Sequence, residues 1–412
     1  MANPTLAAID VGTTKVCTIV AELTPQHELR ILGVGIGPSA GFARGMVDNV
    51  QAAIEAIASS VDRAERAAGA RIHSAHVGIS GPHVSSRNSQ GIIAVADPRH
   101  PITAEDVQRA LESARIFNVP NNREVIHVVP RYYVVDGHDH VSDPVGMFGS
   151  RLDVETHVVT CSSSAMQNLV HCVEGAGVQV ESLILQPLAS AEAVAEPEEL
   201  RHGAVLIDIG GGTTDISVYQ DGGVVHTAVL PIGGAHMTRD LVVALRVPQP
   251  AAEQAKRDYG HAIPSLVDQD EEVELASFGA DSRKTVQRRM IAEVLQARCE
   301  ELLEMTQAEI RRGAELELLS AGAILTGGAA SLPGLDLLAE DVLSLPARVG
   351  RPRHLAGLSD ILQDPAYATS VGLLRWALKE QEIMFRSTAM PVAPLGGLMR
   401  RVAHLMRVVL PQ

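Results

Sequence analysis

The chain has 412 residues, a formal net charge of -15, 46% hydrophobic residues and 20% charged residues. The length predicts two or more domains, and the composition is that of an ordinary globular protein. The acidic balance argues against nucleic acid as a partner, because binding phosphate requires clustered Lys and Arg.

The cysteines and the hydropathy pattern indicate the compartment. The four cysteines are scattered and form no CxxC pair, which predicts reduced, buried thiols of a cytosolic protein rather than a zinc site. The first residues, MANPTLAAID, lack a basic start followed by a long apolar run, so we expect no signal peptide. No apolar run reaches the roughly 20 residues that span a bilayer, so we expect no transmembrane segment.

The first predicted element is a β-hairpin in residues 6–16, LAAIDVGTTKV. An apolar strand runs into Asp10, a glycine turn follows, and a second apolar run continues to Val20. Glycine lets backbone N–H groups approach phosphate oxygens closely, Thr hydroxyls add donors, and a carboxylate at a strand end is suited to a hydrated Mg²⁺. The residues predicted to contact a nucleotide here are Gly12, Thr13, Thr14 and Lys15.

A small β-α-β-β unit is predicted after the strand that ends in VGISG, residues 77–81. Its strands are expected at 91–95, 124–135 and 152–160. A helix is expected to start at Thr103, with its buried stripe at Val107, Ala110, Leu111 and Ala114. The pair His138 and His140, flanked by Gly and Pro, is placed in a loop.

The hairpin pattern returns in residues 204–216, AVLIDIGGGTTDI, with two inserted glycines. Asp208 then corresponds to Asp10, and two such hairpins predict a duplicated architecture with one hairpin in each half. Two carboxylates that face each other across a cleft suffice to hold a Mg²⁺ ion that keeps several of its waters. The second set of predicted nucleotide contacts is Gly210, Gly211, Gly212, Thr213 and Thr214.

A third glycine turn lies in residues 323–331, AILTGGAAS, between an apolar strand and a predicted helix from Leu335 to Val342. The backbone at Gly327, Gly328 and Ala329 is suited to lie against a base or a ribose. None of the three turns has the GxxxxGK[ST] or the GxGxxG pattern. A long core helix is also predicted from Thr285 to Arg312.

The chain ends in a basic, apolar segment, GGLMRRVAHLMRVVLPQ, and residues 383–412 hold four arginines and no acidic residue. As a helix, 398–410 has an apolar arc opposite its basic residues, and about 22 Å of helix is too short to span a bilayer. Such a helix is expected to lie in the headgroup layer, on a Pro- and Gly-containing tether. The alternative is a helix that docks on its own domain. The predicted membrane contacts are Leu398, Met399, Arg400, Arg401, Val402, Leu405, Met406, Arg407, Val409 and Leu410.

The three turns, in this order, resemble the actin/Hsp70/hexokinase superfamily, whose two phosphate loops and adenosine loop follow the same order. Glu253 and Lys256 resemble the ExxK pair of the Hsp70-like and bacterial actin members, which contacts the ribose and adenine. Without that resemblance, the pair would be interpreted as a solvated i,i+3 pairing on a helix.

Further segments are similar to FtsA, the bacterial cell-division family of actin-like proteins. They are IDVGTTKV, GVGIGPSAGFARGMV, VGISG, SRNSQG, DPVGM, IDIGGGTTDIS, LTGGAASLPGL and AYATSVGLL, within residues 5–378. The resemblance implies an α/β actin-like ATPase fold, with two duplicated domains around a nucleotide cleft, an FtsA-type 1C subdomain and a C-terminal amphipathic helix.

The resemblance also implies the domain boundaries. They are 1–82 and 162–197 for the two parts of subdomain 1A, 83–161 for 1C, 198–235 and 311–363 for the two parts of 2A, 236–310 for 2B, 364–382 for a return helix to 1A, 383–395 for a flexible linker and 396–412 for the membrane-targeting helix.

The implied cofactors are ATP and Mg²⁺, and the implied catalytic residues are Asp10, Gln186 and Asp208. Gln186 stands where relatives place a Glu or Gln that orients the attacking water. A neutral Gln accepts a proton poorly, which predicts at most slow hydrolysis.

The implied partners are FtsZ, further copies of the chain, anionic lipid and other divisome proteins, with no nucleic acid. The C-terminal peptide of FtsZ, the tubulin-like division protein, is expected on the basic part of 2B at Arg283, Lys284, Arg288 and Arg289. Filaments are expected to form through 1C and 2B. The implied location is the cytoplasmic face of the cell membrane at the division septum.

Other members of the superfamily remain as alternatives. A type IV pilus assembly protein of the PilM kind carries a 1C-like subdomain but would lack the amphipathic tail. A sugar kinase would need a catalytic Asp in a substrate cleft, and the sequence shows no such motif. An Hsp70-like chaperone is disfavoured, because no substrate domain of suitable length follows the nucleotide core.

Overall fold

The computed structural model of the chain describes residues 5–24, 28–115, 119–279, 282–357 and 360–388, with side chains up to residue 379. The chain divides into two compact units, Met1–Ala377 and Leu378–Gln412. The predicted membrane helix, 396–412, lies outside the described residues, as does the part of the predicted linker beyond Thr388. Residues 383–388, which were also predicted as linker, continue the helix that begins at Ala368.

Nineteen strands and ten helices occur in the described residues. The strands are β1 Thr5–Val11, β2 Lys15–Leu23, β3 Leu29–Pro38, β4 Phe42–Ala43, β5 Met46–Val47, β6 Ser74–Ile79, β7 Ser85–Ala94, β8 Arg123–Val135, β9 His138–Val141, β10 Arg151–Ser162, β11 Gln179–Leu185, β12 Ala204–Ile209, β13 Thr214–Gln220, β14 Gly223–Leu230, β15 Glu272–Ala276, β16 Arg283–Gln287, β17 Gly322–Thr326, β18 Ala347–Val349 and β19 Ala356–Gly357. The helices are α1 Val50–Ala68, α2 Ala104–Arg115, α3 Ser163–Gly175, α4 Gln186–Val194, α5 Pro197–Arg201, α6 Gly234–Leu245, α7 Gln249–Tyr259, α8 Arg288–Gly313, α9 Leu335–Leu343 and α10 Ala368–Thr388.

Two large sheets repeat the same core arrangement, and this repeat confirms the predicted duplication. The first has the order β11-β6-β1-β2-β3-β19 and the second the order β14-β13-β12-β17-β18. In each, an antiparallel hairpin, β1–β2 or β12–β13, continues into a third antiparallel strand, and its first strand also pairs in parallel with a later one. Each sheet contributes to its own buried apolar cluster.

The predicted β-α-β-β unit is present as a separate sheet covered by α2, but the sheet has four strands, in the order β7-β10-β8-β9. The strand β9 is additional, and β7 begins at Ser85 rather than at residue 91. Thr103 precedes α2, and its hydroxyl accepts from the Asp106 amide while the Asp106 carboxylate accepts from the Thr103 amide at 2.9 Å. This reciprocal pair is a capping box, as the sequence pattern predicts. We call residues 85–162 the insert.

The insert is bonded to both large sheets. His127 on β8 accepts from the Leu185 amide of β11 at 2.9 Å and packs edge-on against Trp376. On the other side, Ser86 and Asn88 on β7 donate to the carbonyl oxygens of Thr227 and Val225 on β14, at 2.9 and 3.1 Å. The insert therefore bridges the two halves.

Two local predictions are wrong. His138 and His140 lie on the strand β9, because the chain turns at Asp136 and Gly137, both with positive φ, and returns along β8. The helix predicted from Thr285 begins at Arg288, because Arg283–Gln287 pairs with β15 as a strand. The strands β15 and β16 form a hairpin, and the helical spacing of apolar residues does not reveal this pairing.

The cysteines are buried and free of disulfides, as expected. Within the described part of the chain, no helix is long and apolar enough to cross a membrane.

We predict that Gly35→Ala destabilises the fold severely, whereas Gly37→Ala does not. Both glycines lie on the same face of β3, but a Cβ at Gly35 would stand 2.6 Å from the Ala64 amide and closer still to the Ser60 carbonyl of α1, while a Cβ at Gly37 meets nothing within 4 Å. Overpacking of this kind costs about 3 kcal/mol or more, because backbone atoms cannot move aside. Urea unfolding of the two variants measures the difference, and equal stabilities would contradict it.

Candidate functional site

The two predicted glycine turns lie against each other. In both turns a glycine amide donates to the carbonyl three residues on, Gly12 to Lys15 and Gly210 to Thr213, each at 2.9 Å. A Cβ on Gly212 would stand 2.6 Å from the Thr13 hydroxyl, and one on Gly211 would collide with the Thr14 methyl. Only glycine allows the second turn to approach the first this closely.

Asp10 and Asp208, at corresponding positions of the two hairpins, are both buried at the base of these turns. Asp10 accepts from Ser370 at 2.7 Å, and Asp208 accepts from Ser190 at 2.6 Å and Thr369 at 3.0 Å. Burial raises the pKa of Asp10, which Lys15 and the Ser370 hydroxyl oppose. Burial likewise raises the pKa of Asp208, against its two hydroxyl donors and Lys15.

A third buried carboxylate, Asp215, was not predicted. It pairs directly with Asp208 in the β12–β13 ladder, so the two side chains project from the same face of the sheet. It accepts from Ser80 of the first half and from Thr213, the latter at 3.1 Å. Burial, and then the nearby Asp208, raises the pKa of Asp215 to about 7. Hairpin register identifies it in the sequence, because Asp208 and Asp215 are equidistant from the turn.

Lys15 is the cation of this cluster. Its ammonium donates to the Ala366 carbonyl oxygen and lies 3.9 Å over the Tyr367 ring. Burial raises the pKa of all three carboxyl groups, and a bound cation would stabilise their ionised forms. In the described residues, no three acidic, His or Cys side chains are placed to ligate a metal directly. Asp10 and Asp208 supply carboxylate oxygens, which suit Mg²⁺ and the water molecules that it carries, so these two residues fit a hydrated Mg²⁺.

Gln186 begins α4 and lies beside the first carboxylate. Its amide nitrogen is 3.3 Å from an Asp10 oxygen and 3.4 Å from the Val11 carbonyl. The side chain also covers Gly78, where a Cβ would stand 3.2 Å from it. The structure thus brings together all three residues that were predicted to be catalytic.

The third turn and the ExxK pair close the other side of the site. Gly327, at φ 84°, approaches Asp208 so closely that a Cβ there would collide with its carboxylate. Lys256 binds Glu253 at 2.7 Å and donates to the Gly234 carbonyl at 3.1 Å, at the start of α6. The pair is therefore tied to α6 rather than solvated.

The backbone joins these parts. The amides of Gly234 and Ala235 donate to the carbonyls of Gly210 and Gly211, at 2.9 and 2.8 Å. A Cβ on Gly234 would lie 3.4 Å from Ala329 of the third turn. All of the residues predicted to bind nucleotide therefore lie around one cluster of turns.

The predicted basic patch lies elsewhere, on β16 and the start of α8. Its charges are engaged within the chain: Arg283 pairs with Glu274 at 3.0 Å, Arg288 with Glu271 at 2.8 Å and Arg289 with Glu293 at 3.3 Å. Lys284 donates to the Leu245 carbonyl at 3.0 Å. The patch is consequently less positive than its sequence indicates.

Comparison with known proteins gives the family. A model described as "Cell division protein FtsA" matches residues 205–372, and one described as "SHS2 domain inserted in FTSA" matches residues 81–160. The cell division protein FtsA of Pseudomonas aeruginosa is 40% identical over 376 residues, 91% of this chain and 90% of that protein. The chain belongs to the FtsA family.

Other FtsA proteins match over similar lengths. That of Escherichia coli K12 is 35% identical over 98% of this chain and 97% of its own length, and that of Bacillus subtilis is 36% identical over 93% and 86%. As a member of this family, the chain is an actin-like cell-division protein.

Solved structures confirm the fold. A "PilM-PilN type IV pilus biogenesis complex" superposes with a TM-score of 0.64 at 18% identity, covering 90% of this chain and 98% of that one. MreB5 of Spiroplasma citri, in a structure bound to ADP, superposes with a TM-score of 0.55 at 14% identity, covering 93% and 98%. At these identities the likeness shows the actin-like fold alone, whereas the FtsA matches show the family.

We predict that Asp215→Asn reduces the pH dependence of stability in this FtsA-family protein. Burial raises the pKa of Asp215 from 3.8 to about 7, so between these values the folded state holds a proton that the unfolded state has released. The contribution of Asp215 to the free energy of unfolding therefore falls as pH rises from about 4 to 7, by at most about 1.4 kcal/mol per pH unit. The variant lacks this contribution.

Urea titrations of both proteins in EDTA, from about pH 5 to 8, measure the effect. The difference in stability between variant and wild type should grow up to about pH 7 and then level off. Parallel pH profiles would contradict the prediction.

Proposed function

We propose that this chain binds ATP with Mg²⁺, polymerises as an actin-like filament, and tethers the FtsZ ring to the cytoplasmic membrane at the division septum, where it helps to recruit the divisome. The observation that supports it most is the pair of facing glycine hairpins, each with a buried aspartate at its base. Membership of the FtsA family supports the same proposal.

The nucleotide is proposed to lie among the three turns. Backbone amides and hydroxyls of the first two turns are suited to the phosphates, since the glycines let phosphate oxygens approach the main chain. The third turn, with Glu253 and Lys256 beside it, is proposed to hold the adenosine. When bound, Mg²⁺ supplies positive charge to the phosphates, and Asp10 and Asp208 would hold it through its waters.

Hydrolysis is proposed to be slow. Gln186 is the polar side chain beside Asp10, and its amide orients a water molecule but accepts a proton poorly. In this proposal the nucleotide acts as a switch between conformations and assembly states rather than as a source of continuous turnover.

The tail is proposed to bind the membrane. Its arginines are attracted to anionic lipid by about 1 kcal/mol each near the surface, and its apolar arc is suited to the headgroup boundary. One such helix gives weak, reversible attachment. Polymerisation would multiply the anchors and convert weak binding into firm binding through effective concentration.

The subdomain boundaries that the FtsA resemblance implies are part of this proposal. Residues 236–310, subdomain 2B, are proposed to receive the FtsZ peptide. An acidic and apolar peptide suits the exposed arginines Arg283 and Arg289. Its carboxylates would replace Glu274 and Glu293 as the ion-pair partners of these arginines.

We predict that full-length protein co-sediments with anionic liposomes more strongly with Mg-ATP than without it, and that protein ending at Arg386 remains in the supernatant. Gly212→Val should bind liposomes only at the ATP-free level, because its side chain would force the two turns apart. Neutral liposomes serve as the lipid control. Equal sedimentation of the truncated protein would refute the membrane role of the tail, and an unchanged response of Gly212→Val would refute the switch.

We predict that Arg283→Glu weakens binding of an FtsZ C-terminal peptide by about tenfold, because it reverses an exposed charge at the proposed groove. Arg311→Glu, at an exposed position of α8 outside the patch, changes the net charge equally and should bind like wild type. Fluorescence anisotropy with labelled peptide measures both affinities. Equal weakening by the two variants would show that only net charge matters.

A further inference from the structure

One short segment of the chain, residues 365–370, contacts the first and third glycine turns and the aspartate at the base of the second. Its first part meets the outer two: the Pro365 carbonyl accepts from the Gly327 amide at 3.2 Å, and the Ala366 carbonyl accepts from Lys15. Its last part meets the two aspartates through Thr369 and Ser370. The segment enters the first turn of α10, far along the chain from either hairpin.

The two hydroxyls divide the carboxylates between them. The Ser370 hydroxyl donates to Oδ2 of Asp10 at 2.7 Å, and the neighbouring Thr369 hydroxyl donates to Oδ2 of Asp208 at 3.0 Å. The same Oδ2 of Asp208 also accepts from Ser190 at 2.6 Å, and the Ser190 and Thr369 hydroxyl oxygens are 2.9 Å apart. Ser370 is fully buried and Thr369 is 9% exposed. Adjacent residues of one helical turn thus hold one carboxylate from each half of the molecule.

The second oxygen of each carboxylate, Oδ1, contacts a different part of the site. Oδ1 of Asp10 faces the Gln186 amide at 3.3 Å, and Oδ1 of Asp208 faces Gly327 of the third turn. A carboxylate that is fixed through one oxygen can turn only within narrow limits, so the direction of the second oxygen is set as well. The N-terminal end of α10 adds positive potential at the same place.

We propose that Thr369 and Ser370 are positioning residues for the magnesium site, and that their hydroxyls hold Asp208 and Asp10 in the orientation that binds the water shell of the ion. This inference rests on the proposed binding of Mg-ATP. The two hydroxyls do not touch the nucleotide; they act through the aspartates. Their loss is therefore expected to weaken the magnesium-dependent part of nucleotide binding and to leave the magnesium-independent part unchanged.

A purely structural role makes a different prediction. If the hydroxyls only satisfy buried carboxylates, removing them lowers the stability of the fold and affects nucleotide binding equally with and without magnesium. The two roles are separated by measuring nucleotide affinity against magnesium concentration.

The experiment uses full-length protein and the fluorescent nucleotide mant-ATP, titrated in EDTA and at increasing Mg²⁺. The variants are Thr369→Val and Ser370→Ala, which remove the hydroxyls, and Thr369→Ser, which keeps one. Thr306→Val is the matched control, because Thr306 is also a buried threonine but its hydroxyl donates to the Leu302 carbonyl of α8 at 2.8 Å. Thermal unfolding without nucleotide checks that each variant is folded.

We expect Thr369→Val and Ser370→Ala each to raise the half-saturating Mg²⁺ concentration about tenfold, which corresponds to about 1.4 kcal/mol, and to leave the affinity in EDTA unchanged. Thr369→Ser and Thr306→Val should behave like wild type. Variants with the magnesium dependence of wild type, or with the same loss in EDTA and in Mg²⁺, would overturn the inference alone. A wild type that binds no mant-ATP at any magnesium concentration would overturn the proposed function instead.

Discussion

The burial of Asp10, Asp208 and Asp215 together is the constraint around which the centre of this molecule is organised. Ionised carboxylates that lie near one another repel, and burial removes the water that would screen this repulsion. The chain responds with hydroxyl donors from three separate segments, at Ser80, at Ser190 and at the adjacent Thr369 and Ser370, and with one lysine. These groups reduce the cost of the buried charge without removing it. The site is therefore under electrostatic strain that a divalent cation would relieve.

The duplication explains why the buried carboxylates lie where the two halves meet. Each sheet delivers one hairpin whose first strand ends in an aspartate, and each turn is made of residues small enough to meet the other. The second half does not hold all the partners of its own carboxylates, because Ser80 of the first half donates to Asp215. A change in the separation of the halves would consequently alter hydrogen bonds at the carboxylates themselves.

The sequence alone predicts much of this arrangement. Alternation and glycine turns predict both hairpins, and the repeat of Asp10 at Asp208 predicts that they face one ligand. The segment AYATSVGLL contains Thr369 and Ser370 and contributes to the family resemblance, but it does not reveal their roles, because their partners Asp208 and Asp10 lie 161 and 360 residues away. The strand β16 escapes sequence-based prediction for a different reason, since its short hairpin with the neighbouring strand β15 overrides a helical pattern over Arg283–Gln287. Counting charges along the sequence also misleads at Arg283, because only the folded chain shows that Arg283 forms an ion pair with Glu274.

The seam between the insert and β14 has a consequence for aggregation. β14 is the outermost strand of its sheet, and an outermost strand with unpaired carbonyls is a template on which a strand of another molecule can add. Here the carbonyl oxygens of Val225 and Thr227 are already occupied by side chains of Asn88 and Ser86. While the insert is docked on β14, these carbonyls of the edge strand cannot pair with a strand of another molecule. Ordered assembly of the protein would then use surfaces other than this edge.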